Sequence, residues 1–349
     1  MPSFRTGEVT AVLSERPGLQ RVEVDGRPAY VLTQLIGPVA VGERVVVNTT
    51  AVDLGLGTGG SDVVHWNLSR DRWSAPGPGQ IMKLRYTSLQ VDTGAAEERD
   101  PVDATSDVGS GEAALSGVLG GRPVVACDLH SQLAPVAAAF ADRAPGRRLV
   151  YVMTDSASLP LAISELVAGL RAAGLLAATV TAGHAFGGDL EAVNVPSALR
   201  VAVVAGGADA IVVGPGPGVV GTGSALGYSG LEVAAVTDAT TRLGGSPIVA
   251  VRYSGADRRA RHRGVSHHTS TALAMAALSA SVPVPDGQPC PQVARHRVVE
   301  TGVPDVVALL AGAGLDVATM GRTAADDPLF FAYAAAAGVA AAASLSSLQ

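Results

Sequence analysis

From Phe4 to about Trp73 short apolar runs alternate with turn residues, the runs being Gly7 to Val12, Gln20 to Val24, Ala29 to Leu32 and Glu43 to Asn48. Asp25-Gly26 and Val41-Gly42 interrupt them at the close spacing of hairpins, which predicts a small antiparallel β-barrel over residues 1–75. Ala75-Pro76-Gly77-Pro78-Gly79 closes that unit. Residues 76–117 read as a connecting strand, Ile81 to Tyr86, followed by an acidic stretch from Thr93 to Gly111 that lacks apolar periodicity and is expected to form a mobile surface loop.

After Gly121 the rhythm changes. Apolar strands (Pro123 to Cys127, Arg148 to Met153, Ala177 to Ala182, Ala210 to Val213, Pro247 to Val251) alternate with helical segments such as Leu161 to Ala173 and Leu231 to Leu243. Such alternation predicts a mostly parallel sheet covered by helices on both faces, so residues 118–285 read as a three-layer α/β domain. Residues 286–349 add a strand-helix unit and an alanine-rich helix, either completing the same sheet or capping it. The apolar segment from Leu329 to Leu345 is short for a membrane span and rich in alanine, which inserts poorly. Asp327 before Pro328 reads instead as an N-cap with proline at the first helical position, and a closely packed helix, at a subunit interface if the chain dimerises, is the expectation.

A hydrophobic fraction of 48% with 4% aromatics points to a core of Ala, Val and Leu, and a formal net charge of −6 offers nucleic acid or anionic lipid no general attraction. Cys127 and Cys290 have neither metal-finger nor redox spacing, and Cys127, inside an apolar run, reads as a small core residue. Met1-Pro2-Ser3-Phe4-Arg5 lacks the apolar stretch of a signal peptide, so a cytoplasmic protein is expected.

The densest chemistry is the run Arg258-Arg259-Ala260-Arg261-His262-Arg263-Gly264-Val265-Ser266-His267-His268-Thr269, which holds three of the chain's seven histidines. Desolvating so many donors and ligands is costly unless something anionic or metallic satisfies them. Each predicted strand also leads into a polar or glycine-rich segment: Asp128-Leu129-His130-Ser131, Thr154-Asp155-Ser156, Gly183 to Glu191, Gly214 to Gly223, and Arg252 onward. In an open parallel sheet these segments emerge at the carboxyl edge, where ligands bind. His267 and His268 are candidate bases or ligands, with Asp128 and Asp155 as catalytic carboxylates. His130, His184, Asp189, Glu191, Gly216, Gly218, Gly221, Thr222, Arg261 and Arg263 are candidate substrate-binding residues.

Gly216-Pro217-Gly218-Val219-Val220-Gly221 matches the dinucleotide spacing after a strand, yet Thr222 to Gly230 intervene before the helix. The glycines suit an anion cradle or, equally, a tight turn. A divalent metal on His130, His184, Asp189 and His268 competes with histidines that merely bond to carboxylates and backbone. Gly264-Val265-Ser266 begins like a nucleophile elbow, but His268 stands where glycine is needed. Ser266, Thr269 or Ser270 reads better as the cap of a helix over Thr271 to Ala280, whose positive end would favour neutral histidines. At least two of the four arginines are expected to be surface ion pairs; Arg261 and Arg263 are the anion-clamp candidates, and Lys83 and Arg85 share a strand face.

Taken together, Asp128-Leu129-His130-Ser131, Met153-Thr154-Asp155, Gly183 to Val195, Gly216 to Gly223 and Arg261 to Thr269 resemble a bacterial family catalogued as domain of unknown function 3866. The resemblance starts at Asn48-Thr49-Thr50-Ala51-Val52-Asp53, runs through Thr269 and thins beyond it; where this chain has Gly214-Pro215-Gly216, similar sequences show Gly-Met-Gly. It implies no activity and transfers no catalytic residue.

The residues point to a hydrolase or group transferase acting on a small anionic substrate, phosphorylated ones included, at the carboxyl edge. The alternatives are a non-catalytic metabolite sensor or adaptor that uses the same pocket, and a structural assembly protein. Convergence of His130, His184, His267 and Asp189 in one concave pocket separates the first two from the third.

Overall fold

The computed structural model describes residues 2–56, 59–98 and 115–346 and divides into two units, Met1–Gly94 and Ala95–Gln349. Most of the acidic run expected as a mobile loop, residues 99–114, lies outside the described residues.

The first unit is a closed barrel of β1 (Phe4–Arg16), β2 (Leu19–Val24), β3 (Arg27–Leu32), β4 (Arg44–Asn48) and β5 (Asp62–Asn67), in the order β1-β2-β3-β5-β4. Asp25 and Gly26, both at positive φ (51° and 73°), form the two-residue turn between β2 and β3, as the Asp-Gly signal predicts. Alternating valines, among them Val9, Val22, Val24, Val31, Val45 and Val47, fill the interior. One pair departs from the expected antiparallel pattern: β3 and β5 run parallel, because the connection through β4 crosses the barrel before the chain returns, a Greek-key closure. Lys83, in the short strand β6 (Met82–Lys83) that pairs with β7 (Val91–Asp92), is buried.

The second unit is built on an eight-stranded sheet in the order β11-β10-β9-β12-β8-β13-β16-β17, every neighbouring pair parallel. Its strands are β8 (Pro123–Ala126), β9 (Leu149–Thr154), β10 (Ala178–Ala182), β11 (Leu190–Ala192), β12 (Ala210–Pro215), β13 (Ser246–Val249), β16 (Ser281–Pro285) and β17 (Arg297–Thr301). The central strands are buried along their whole length, which is why they read as continuous apolar runs. After the two short helices of the first unit, α1 (Thr33–Ile36) and α2 (Thr50–Asp53), come α3 (Leu133–Arg143) and α4 (Glu165–Ala172), which share a core cluster on one face with α8 (Val306–Gly312) and α9 (Pro328–Leu345). On the other face lie α5 (Val195–Val204), α6 (Val233–Arg242) and α7 (His267–Met275). Connections out of β8 and β9 use the first face, whereas those into and out of β12 use the second. The loops after β8 and β12 therefore diverge at the carboxyl edge, and a crevice results.

The residues beyond 285 complete the same sheet. The alanine-rich helix α9 is long and apolar enough to cross a membrane, but it lies mostly buried within this unit. Gly338 meets α3 so closely that a Cβ there would lie 2.2 Å from the Val136 carbonyl oxygen. The small side chains serve this helix-helix contact. Asp327 precedes Pro328 as expected but makes no side-chain cap; its buried carboxylate accepts from Ser254 Oγ, from Gly255 N–H at 3.0 Å and from Arg322 Nε at 3.1 Å, tying α9 to the loop between β14 (Tyr253–Ser254) and its antiparallel partner β15 (Gly264–Val265).

Candidate functional site

Two neighbouring strands set the site. At the end of β13 the chain enters Arg252, whose N–H donates to Thr269 Oγ1 at 3.0 Å while its carbonyl accepts from Ser266 N–H at 2.8 Å. The start of α7 is thereby held beside the sheet edge. Ser266 is the N-cap, its Oγ accepting from His268 N–H at 3.2 Å, so the helix begins four residues before the expected Thr271. The same Oγ lies 2.8 Å from His262 Nδ1. Ring centroids of His262, His267 and His268 are 5.0, 4.8 and 4.4 Å apart pairwise, and one ring nitrogen from each lies within 4.8 Å of the others.

Asp128 enters from β8. Gln132, fully buried, accepts from the N–H groups of Asp128 and Leu129 at 3.0 and 3.1 Å and donates to the Ala250 carbonyl at 3.2 Å, which locks the exits of β8 and β13 together. The Asp128 side chain, 4% exposed, then sits with Oδ2 3.8 Å from His268 Nδ1, and neither carboxylate oxygen accepts a hydrogen bond from the described residues. Arg252 Nη1 reaches the same His268 nitrogen at 3.0 Å. Tyr228 stacks on the His268 ring at 3.7 Å and donates its hydroxyl to the His268 carbonyl at 2.7 Å. Gly230 lies against Asp128; a Cβ there would stand 2.8 Å from that of Asp128.

Burial dominates the electrostatics. It pushes His262 and His268 down to about 3, with Arg252 adding repulsion in both, and it lowers His267 with help from Arg261 and Arg252. The three imidazoles are neutral near pH 7. Burial raises Asp128 to about 6 against the attraction of Arg252, and it raises Tyr228 to about 12, the Asp128 charge assisting. His267 Nε2 is buried with no hydrogen-bond partner among the described residues. Unpaired buried groups of this kind cost free energy, roughly 1–3 kcal/mol each, which a ligand would recover.

The other expected residues disperse. His130 is engaged through both nitrogens, Nδ1 with the Pro215 carbonyl at 3.0 Å and Nε2 with Ser164 Oγ at 2.7 Å. The Pro215 carbonyl can only accept, so the neutral ring carries its proton on Nδ1, and Nε2 accepts from the Ser164 hydroxyl, whose oxygen also accepts from Val167 N–H as the cap of α4. His130 is thus a neutral clasp between β12 and α4, lowered to about 4 by burial, and not free to ligate. Asp155 accepts from His184 N–H at 2.9 Å and so joins the loops after β9 and β10, two strand spacings (about 10 Å) from β8. Asp189 accepts from Thr179 N–H and Oγ1 at 2.8 and 3.0 Å and pairs with Arg171, near the amino ends of the strands. Glu191 binds Thr181 Oγ1 and, at 2.7 Å, Gly187 N–H. The metal set His130, His184, Asp189 and His268 therefore does not assemble: after β10 the chain doubles back, so Asp189 faces the wrong end of the sheet. The expected meeting of His130, His184, His267 and Asp189 in one pocket fails for the same reason. A narrower group has gathered instead.

Gly216 and Gly218 lie in the turn leaving β12, and Gly221 and Thr222 open a small excursion in which Thr222 N–H donates to Gly227 O at 2.7 Å. The glycines do not open a helix directly, as a dinucleotide loop would; helical structure resumes only at Ser229. The excursion reaches Arg261, whose Nη1 would meet a Cβ on Gly223 at 3.1 Å. Arg261 Nε donates to His262 Nε2 at 3.3 Å, Arg259 is paired with Asp257, and Arg258 and Arg263 are exposed. Arg263 is therefore not placed with Arg261 as a clamp by any contact.

Tyr228, Gln132, Arg252, His262 and Glu232 were not singled out by the sequence reading as site residues. Glu232 is a half-buried carboxylate that accepts from Thr154 and Ser156 at 2.7 and 2.6 Å. Arg252 could have been found as the charged residue ending an apolar strand, and Tyr228 as an aromatic residue in a glycine-rich loop. A cavity of about 480 Å³ opens at the same edge between Leu129–Ser131, Pro217–Val219 and Gly314–Met320. Its lining includes Glu165 and Asp316 but none of the clustered histidines or arginines, so it is poorly matched to an anion.

A family model described as Protein of unknown function (DUF3866) matches residues 28–338, well past the segment in which the motif likeness thins. No curated protein and no solved structure matches the chain.

Proposed function

The chain belongs to that family of unknown function, whose description carries no activity, and from its side chains we propose that it is a hydrolase or group transferase acting on a small anionic substrate at the carboxyl edge of the sheet. One observation carries the reading: the Asp128 carboxylate, buried and without a hydrogen bond, stands 3.8 Å from His268 among three neutral imidazoles. A protein that needed only stability would gain by replacing such a carboxylate, whereas proton transfer needs a group whose pKa has been brought toward neutrality. In this reading Asp128 moves a proton at the reacting atoms, with His267 and His268 beside it as base or ligand. Arg261, at the exposed rim beside Gly223, and the buried Arg252 supply the positive potential that draws an anion.

The test is a thermal-shift screen of phosphorylated and carboxylated metabolites on the full chain, followed by product analysis of each stabilising compound. A compound recovered as a new product, with turnover lost in Asp128→Asn, supports the enzyme. Stabilisation by a compound that is always recovered unchanged overturns it in favour of a metabolite sensor.

A further inference from the structure

We propose that His262, His267 and His268 together bind one divalent transition-metal ion of the zinc type. The inference deepens the reading of this same site and rests on it for the site's location, not for its chemistry. Three nitrogen donors, one from each ring, already lie within 4.8 Å of one another. A four-coordinate zinc at about 2.0–2.1 Å from each nitrogen needs them roughly 3.3 Å apart, so loading asks for small ring rotations only. An all-imidazole set selects zinc, cobalt, nickel or copper over magnesium and calcium, which prefer oxygen.

Two further observations point the same way. His267 Nε2 is buried with no partner, and both oxygens of Asp128, in a side chain 4% exposed, are likewise unbonded. An ion at the rings gives the first a bond. It also competes with Arg252 for His268 Nδ1, the atom that Arg252 holds at 3.0 Å and Asp128 approaches to 3.8 Å. Released from the ring, the guanidinium turns to the Asp128 carboxylate, so the charge that would otherwise repel the ion is neutralised beside it. The surrounding contacts are those of an oriented ligand set: Ser266 Oγ fixes His262 through Nδ1 and leaves Nε2 for the ion, which must displace the exposed Arg261 Nε that donates there at 3.3 Å, and Tyr228 fixes His268 by stacking and through its backbone carbonyl. Three protein ligands leave a fourth position for water, which a zinc-type ion would activate toward hydrolysis.

The experiment uses the full chain, stripped with a chelator and titrated with cobalt(II). The expected result is saturation at a single equivalent, with the intense visible absorption of a four-coordinate cobalt ion, and displacement of that colour by zinc. His267→Gln should weaken cobalt binding by about 100-fold or more, above the range that second-shell losses produce, while His184→Asn leaves it unchanged. His262 is buried and its replacement endangers the fold, so the part-exposed His267 carries the variant test and the wild-type spectrum stands without any variant. Absence of the cobalt spectrum, or a His267→Gln protein that binds as the parent does, overturns the proposal. In parallel, inorganic phosphate is tested by thermal shift on the stripped protein. Phosphate binding without cobalt binding sinks the metal and leaves the anion site, whereas cobalt binding with no anionic compound bound sinks the proposed substrate class and leaves the metal.

Discussion

Arg252 Nη1 lies 3.0 Å from His268 Nδ1, and because a guanidinium only donates, this contact makes Nδ1 the acceptor. In the metal-free protein His268 must then carry its proton on Nε2. Long-range proton–nitrogen NMR of histidine-labelled, chelator-treated protein should show His268 as the Nε2–H tautomer. Arg252→Met should return the ring to a mixture; a ring already in the Nδ1–H form in the parent would contradict the contact.

Asp128→Asn keeps the shape of the side chain and removes the base. If Asp128 transfers a proton, turnover of the substrate found by screening should fall by about 10²–10⁴-fold. Because neither carboxylate oxygen is hydrogen-bonded in the parent, the fold has little to lose. The thermal midpoint should drop by no more than a few degrees, and a collapse of the fold in this variant would instead make Asp128 a structural residue.

Gly230 tests the positioning of Asp128 from the other side. A Cβ at residue 230 would lie 2.8 Å from the Asp128 Cβ and 2.9 Å from its carbonyl oxygen, so Gly230→Ala must displace one of the two segments. A shift of about 1 Å at a reacting group costs on the order of 100-fold in rate. Steady-state kinetics should show that loss in kcat/KM, with urea denaturation reporting a cost of about 1–3 kcal/mol for the overpacking.

His130 should make the protein acid-sensitive. Its ring protonates near 6.5 in a free chain but at about 4 in the fold, where burial disfavours the charge. Between those values the unfolded chain holds more protons, so stability falls as pH drops below about 6.5 and the loss levels off below about 4, amounting to roughly 3 kcal/mol for this group. Urea midpoints of the parent and His130→Asn, compared at pH 7 and pH 5, should differ in slope, the variant being flatter. Parallel slopes would mean that burial does not hold the ring neutral in the fold.

Gly338→Ala sets two effects against each other. Alanine is the better helix former by about 1 kcal/mol, but its Cβ would stand 2.2 Å from the Val136 carbonyl oxygen across the contact of α9 with α3. Backbone on backbone has no soft atom to yield, so the net effect should be destabilising by about 1–3 kcal/mol in chemical denaturation. A more stable variant would show that the two helices are not held so close.

The period-two runs from Gly7 to Asn48 and the apolar runs from Pro123 to Val251 determined the barrel and the parallel sheet by themselves, because burial on one face or on both writes a pattern directly into neighbouring residues. The same local logic offered Ser266 as one of three caps, though for a helix starting four residues later, and placed Asp128 at a strand exit with His267 and His268 near a helix start. Which polar residues meet was decided elsewhere. His130 and His268 are alike in the sequence, yet one is held by both nitrogens between Pro215 and Ser164 and the other faces Asp128 and Arg252. Asp189 and Asp128 both follow strands, yet the return of the chain after β10 carries Asp189 back to Thr179. Strand order, and the face on which each connection passes, depend on how the apolar surfaces of distant segments pack, and that packing leaves no mark on the spacing of the histidines and carboxylates it brings together.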